Sequence, residues 1–285
     1  MTYTPVPATT DTISRYAAFL GRSLKFNSVK QYLNIIRIMH LEWGLPNPIQ
    51  DNYPISSLLR GMRRSLGDHV QPKLPITPEI LRLLLKQLDL SCPLDANVWS
   101  ICLLLFYGLL RKASVLPNTT HNLDPNKILC REDVKFHQWG IMVTIRTTKT
   151  IQFQERSLII PIPRHQGSSL CPVNAMVRAF ASGPPTRAAI KSPAFRIPGA
   201  HGPIPITGPI FVNRLRQCLR QSSLDINKYS GHSFRRGGAT WMYKVGIPTE
   251  TIRAVGDWRS TSYLQYITVS PQSWYQAIRT MQNNI

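Results

Sequence analysis

The chain has 285 residues, 43% of them hydrophobic, room for one large domain or two smaller ones with a real core. Its formal net charge is +20, from 34 Lys and Arg against 14 Asp and Glu. Such an excess repels itself unless a polyanion is near, and nucleic acid is the commonest one. No run of about 18 apolar residues occurs, which argues against a membrane span, and the N-terminal MTYTPVPATTD lacks the basic flank and apolar stretch of a signal peptide.

The excess is uneven: residues 1–70 carry 8 basic and 4 acidic side chains, residues 71–285 carry 26 and 10. An anionic membrane is the rival partner, but no Lys/Arg-rich helix with a bulky apolar face stands out. Cys92, Cys102, Cys130, Cys171 and Cys218 form no C-x-x-C pair, and no H-x-x-x-H spacing accompanies them. That speaks against zinc and for small core hydrophobes in a reducing compartment.

In chain order, a first helix is expected to be capped by Thr10 or Asp11 and to end at Gly21. A second starts near Ser28, with Val29, Tyr32, Leu33, Ile36, Met39 and Trp43 recurring at three- and four-residue steps, and ends at Gly44. A third spans about Ile55 to Leu66 and carries Arg60, Arg63 and Arg64, either a solvated charged face or one that meets phosphates. The proline-punctuated QPKLPITP, residues 71–78, is read as a linker between a helical domain, 1–70, and a second domain, 79–285. There Thr77 caps a helix with Pro78 at its first position, and a very apolar helix follows over about Ala96 to Leu110.

KILCREDVKF, WGIMVTIRTTKT and RSLIIPI then alternate or carry β-branched runs, predicting a three-stranded antiparallel sheet. Helix returns over Val173 to Phe180. The Pro/Gly-rich SGPPTRAAIKSPAFRIPGAHGPIPITGP reads as a partly irregular excursion, and short helical segments run from Ile210 onward. The expected class is mainly α with a small antiparallel β-sheet (α+β).

Two stretches near the end carry chemistry. In HSFRRGG, His232 and Arg235 are placed at a helix N-terminus if Ser233 caps it, where amides and macrodipole favour an anion. Gly237 and Gly238 allow close backbone approach. GDWRSTSYLQYI holds Tyr263 and Tyr266 at helical spacing. Cutting a phosphodiester without metal needs guanidinium forks for the phosphate, a nucleophile, and a proton for the leaving oxygen.

In combination, HSFRRGGATWMYKVGIPTETIRAVGDWRSTSYLQYI resembles the C-terminal signature of the tyrosine recombinases, the phage-integrase family. FYGLLRKASVL looks like that family's first arginine box, RTTKT like its lysine hairpin, and LCPVNAM is another familiar piece. The order Arg111, Lys149, His232, Arg235, Trp258, tyrosine is the family's order. The resemblance covers about Leu74 to Ile267 and, more loosely, the N-terminal unit, which looks like a DNA-clamping core-binding domain. In style it is closest to recombinases of eukaryotic mobile elements such as Cryptons.

The resemblance implies that Arg111 and Arg235 clamp the scissile phosphate, with His232 bonding to it. It implies that Lys149 protonates the leaving 5′-oxygen and that a tyrosine attacks to form a 3′-phosphotyrosyl bond, without metal, ATP or cofactor. Trp258 would donate its indole N–H to the phosphate or pack against the nucleophile. Tyr266, eight residues past Trp258, fits the family spacing better than Tyr263. Arg236 is read as a phosphate contact or salt-bridge partner.

Ser114 departs from a carboxylate common in the family. A DNA-binding protein of the same fold that no longer cuts therefore stays open, as does a type IB topoisomerase. The implied partners are double-stranded DNA and three further copies, a dimer per site and a tetramer on two duplexes. A terminal helix would carry Trp274, Ile278 and Met281 on one face, packed on its own domain or on a neighbour's. The eukaryotic likeness implies the nucleus.

Overall fold

Thr9, in extended backbone, accepts the amide of Thr12 and starts the first helix, α1 (Thr10–Gly21), one residue earlier than expected. Helix α2 (Phe26–Glu42) follows, and α3 (Tyr53–Leu66) is capped by the Asn52 side chain on the Ile55 amide. These coordinates are a computed structural model describing residues 6–67, 73–121, 123–151, 153, 155–182, 192–269 and 271–283. The chain divides into two compact units, Met1–Gln71 and Pro72–Ile285.

In the first unit Ile13, Ala17, Leu20, Val29, Leu33 and Ile55 form the core. Only part of the expected α2 stripe is inside: Val29 and Leu33 are buried, while Tyr32, Met39 and Trp43 are exposed. His40 is buried instead, its Nδ1 2.8 Å from the Ile36 carbonyl and its Nε2 accepting the Ala8 amide at 2.8 Å. Both ring nitrogens are thereby used, and a neutral imidazole satisfies the pair.

The second unit is built on α5 (Pro93–Tyr107), whose residues from Asp95 to Phe106 are all buried. A helix apolar on every side has to be central. Around it pack α4 (Pro78–Leu85), α6 (Pro172–Ala181), α7 (Gly208–Gln221) and α8 (Gly231–Lys244). The one charged intrusion on α5, Asp95, is held bidentately by Arg214 of α7 at 2.6 and 2.7 Å.

Strands β1 (Val134–His137), β2 (Gly140–Ile145) and β3 (Leu158–Pro163) form the expected antiparallel sheet in order β1–β2–β3. The Pro/Gly-rich excursion holds a further two-residue hairpin, β4 (Arg196–Ile197) with β5 (Ile204–Pro205); residues 183–191 of it lie outside the description. Two short segments close the chain, α9 (Thr249–Val255) and a 3-10 stretch over Thr261–Tyr266, before α10 (Pro271–Gln282). On α10, Ile278 and Met281 are exposed; the Trp274 side chain falls outside the description. All five cysteines are free thiols, and no helix among the described residues is long and apolar enough to cross a membrane.

Residues 73–76, inside the stretch read as a linker, run extended along the second unit. Leu74 donates to the Lys228 carbonyl at 2.7 Å and Ile76 to that of Ser233 at 2.9 Å. Ile76 is fully buried against α8, which explains Gly237: a Cβ there would come within 1.8 Å of the Ile76 carbonyl oxygen. Gly238 does the same against α5, 2.1 Å from the Phe106 oxygen. The close approach expected of these glycines is made to protein backbone.

Candidate active site

Helix α8 starts on a reciprocal cap. Ser230 accepts the amide of His232 and donates its own amide to the Ser233 hydroxyl, so Ser230, not Ser233, is the capping residue. The box places His232 in the first turn, its side chain exposed, and Arg235 one turn on, pointing inward at 2% exposure.

Arg235 is the hub. Its Nη1 donates to the Leu109 carbonyl and its Nη2 to that of Gly256 at 2.6 Å. Its guanidinium lies 3.9 Å from the Trp258 ring centre and 5.4 Å from that of Tyr266. Leu109 presents its carbonyl by turning into left-handed backbone (φ 46°) just after α5, a conformation costly for a branched residue. The same turn leads into Arg111, half-buried, which opens a 3-10 turn over Lys112–Ser114. Ser114 is buried where the family carboxylate was expected.

The site's electrostatics are those of a cation cluster. Burial, and then the charge of Arg111, lower the Arg235 pKa to about 10. His232 is held below the usual histidine value, first by the protein packed around it and then by Arg111, Arg235, Lys112 and Arg236. Arg236 is half-buried, its guanidinium 5.9 Å from the Tyr266 ring centre rather than on a carboxylate.

Both tyrosines lie in the 3-10 stretch, where residues three apart eclipse, and both reach Trp258. The Tyr263 ring centre is 6.2 Å from the Trp258 ring and that of Tyr266 is 5.3 Å from it. They are not equivalent. Tyr263 is buried with Leu109, Ala239 and Ile252, whereas Tyr266 is half-buried and lies beside Arg235 and Arg236. Helix α8 holds the Tyr266 backbone too: the Thr240 hydroxyl donates to its carbonyl at 3.0 Å and accepts the Thr268 amide at 3.1 Å.

Trp258 is 5% exposed, and its indole N–H is buried without an acceptor among the described residues. Arg235 Nε shares that condition. Two buried donors left unmet cost roughly 1–3 kcal/mol each, and an anion within hydrogen-bond reach of both would satisfy them.

Lys149 is exposed in the turn between β2 and β3, which closes with the Thr148 and Ile151 amides donating to each other's carbonyls. Arg60, Arg63 and Arg64 are exposed on α3 in the other unit. Sequence reasoning missed Lys112. Its stem runs between Gly208 and Gly231, the first residues of α7 and α8: a Cβ on Gly208 would meet its Nζ at 2.7 Å, and one on Gly231 its Cβ at 3.3 Å. No local sequence signal marked it, because both glycines lie about a hundred positions along the chain.

No protein-family profile matches the chain. Over 252 residues, 87% of this chain and 70% of the relative, it is 24% identical to an integrase/recombinase xerD homolog of Selenomonas ruminantium. Among solved structures it is similar to the Tn1549 transposon integrase in complex with circular intermediate DNA, at a TM-score of 0.60 and 13% identity, covering 95% of this chain and 85% of that one. It is also similar to the XerH site-specific recombinase bound to palindromic difH substrate in a post-cleavage complex, at a TM-score of 0.60 and 11% identity, covering 96% and 70%. The chain has the fold of these integrases and recombinases, and the sequence likeness supports the tyrosine recombinase/integrase family.

Proposed function

We propose that this chain cuts and rejoins DNA strands through a covalent 3′-phosphotyrosyl intermediate, as the site-specific recombinase of a mobile element. One observation carries this: Arg235 Nε and Trp258 Nε1 are both buried without a partner among the described residues, on side chains that pack with the half-buried Tyr266 and lie within electrostatic reach of Arg111 and His232.

Arg111 and Arg235 take the non-bridging oxygens of the scissile phosphate, where charge grows in the transition state. His232 bonds to the same phosphate, and Trp258 contributes its indole N–H. The Tyr266 hydroxyl oxygen attacks phosphorus, giving up its proton to the surrounding water, as the bond to the 5′-oxygen breaks, and Lys149 supplies the proton that oxygen needs. The phosphotyrosyl bond stores the energy of the broken one, so rejoining needs neither ATP nor metal.

The exposed arginines of α3, and Arg236 beside the tyrosine, are assigned to flanking phosphates. The partners we propose are double-stranded DNA and further copies of this chain, two per site and four on two duplexes. The narrower placement among eukaryotic mobile-element recombinases, and action in the nucleus, rest on the sequence resemblance alone.

A suicide substrate, nicked so that the cleaved end diffuses away, tests the reading. Wild type and Tyr263→Phe trap a covalent adduct, and Tyr266→Phe traps none. An adduct that needs Tyr263 instead moves the nucleophile and leaves the chemistry. Tight DNA binding with no adduct in wild type makes the chain a non-cutting binder, and supercoil relaxation without pairing of two duplexes makes it a type IB topoisomerase.

A further inference from the structure

Three consecutive residues, Gly256, Asp257 and Trp258, touch different parts of the site. Gly256 gives its carbonyl to Arg235, and the Trp258 ring centre lies 3.9 Å from the same guanidinium. Asp257, between them, turns away, and the chain accommodates it in left-handed backbone at φ 52°. Its carboxylate reaches the loop between β2 and β3: Oδ2 accepts the Thr150 hydroxyl at 2.5 Å and the Thr148 hydroxyl at 3.5 Å, and Oδ1 pairs with Arg156 Nη2 at 2.5 Å.

Thr148 and Thr150 are the residues on either side of Lys149. Their hydroxyls lie 2.9 Å apart, and the Thr148 hydroxyl also accepts the Thr150 and Ile151 amides at 3.1 Å. The Asp257 side chain is 12% exposed, so these charge-assisted bonds are shielded from competing water. A second link, Arg259 to Glu155 at 3.2 Å, is exposed at both ends and adds little.

We infer that Asp257 is a positioning residue for Lys149, its carboxylate fixing the lysine turn to the segment that carries Arg235 and Trp258. The inference rests on the strand-cleavage function proposed above. A proton donor on an exposed turn is useful only if the turn is held still relative to the phosphate, since a misplacement of about 1 Å can cost on the order of 100-fold in rate. Asp257 provides that hold from beside the phosphate clamp, so that lysine and clamp share one rigid reference.

The test exploits the leaving group. When the tyrosine attacks, the bond from phosphorus to the 5′-oxygen breaks and that oxygen takes a proton from Lys149. If the bridging atom is sulfur, it departs as a thiolate, because a thiol has a pKa near about 8.5 and needs no donor. Single-turnover cleavage is therefore measured on matched suicide substrates with oxygen or sulfur at the 5′-bridging position, using the full chain.

Lys149→Ala and Asp257→Ala are expected to slow cleavage of the oxygen substrate, the latter on the order of 100-fold, and both to cleave the sulfur substrate near the wild-type rate. The Asp257→Asn variant, which keeps the side chain's shape and so guards against misfolding, shows the same pattern more weakly. Equal loss on both substrates with Asp257→Ala and Asp257→Asn, or no loss on oxygen, overturns the positioning role. Suppression by sulfur for Lys149→Ala but not for Asp257→Ala overturns it while leaving the lysine as donor. Failure of sulfur to suppress Lys149→Ala overturns the lysine's role and this inference together.

Discussion

His232 sits among four cations, and its protonation is where the site's chemistry is most open to measurement. In the folded chain, packing and the charges of Arg111, Arg235, Lys112 and Arg236 hold it below its ordinary value of 6.5. Between that lowered value and 6.5 the unfolded chain binds more protons, so His232 makes stability rise with pH across this window. Below it the full penalty applies. A phosphate placed among the cations opposes that lowering, so DNA binding should raise the His232 pKa and take up a proton at pH values between the free and bound pKa. An NMR titration of the ring, assigned with His232→Gln, should show the free value below 6.5 and the DNA-bound value above the free one. A bound value at or below the free one would remove the phosphate from this histidine.

Residues of this kind, distinctive in type and ordered along the chain, could be picked out of the sequence, and the structure brings Arg235, Trp258 and Tyr266 together. Lys112 and Asp257 could not, because nothing in the spacing of RK or GDW shows that a lysine stem threads between two glycines or that an aspartate faces a distant turn. Both depend on contacts between residues about a hundred positions apart.

At the scale of elements, α5 was readable because it is apolar on all sides, and the three-stranded sheet because its strands alternate. The β4–β5 hairpin was not: two-residue strands in a Pro/Gly-rich stretch are too short to show a period. The α2 stripe was only half right, since a three-helix unit buries one narrow face and leaves Tyr32, Met39 and Trp43 outside. The most consequential element is α8, which holds His232 and Arg235 and, through Thr240, the backbone of Tyr266.

The depth at which α8 is seated is set by Gly237 and Gly238, each against a backbone oxygen that cannot rotate away. Gly237→Ala should therefore lift the helix. Overpacking of this kind costs about 1–3 kcal/mol or more, readable as a lower melting temperature together with a fall in adduct formation measured well below that temperature. Gly246→Ala is a poor comparison because of its positive φ, but Gly61→Ala, with open space around it, should leave both quantities near wild type. Unchanged melting in Gly237→Ala would mean that α8 tolerates a shift, and that its depth does not set the site.

Across the whole molecule, four of the 14 Asp and Glu side chains hold arginines in pairs that are at least partly buried. Asp95 holds Arg214, Glu132 and Asp133 hold Arg146, and Asp257 holds Arg156. These carboxylates neutralise Arg214, Arg146 and Arg156; Arg196 and Arg235 stay buried, and much of the other positive charge among the described residues is exposed in both units. On α3 that charge includes Arg60, Arg63 and Arg64, exposed, with Arg63 and Arg64 in the last turn where the helix dipole also favours cations. The dipole alone would account for two of them, so salt dependence has to decide between a solvated face and a phosphate-binding one. Each phosphate neutralised on duplex DNA contributes a slope of roughly −0.9 in log affinity against log salt. The triple variant Arg60→Gln/Arg63→Gln/Arg64→Gln should flatten the slope by about 0.9 for every one of these arginines that touches DNA, with the melting temperature held because all three are exposed. A slope unchanged from wild type would assign α3 to solvent and leave DNA capture to the second unit, where the larger share of the basic excess lies.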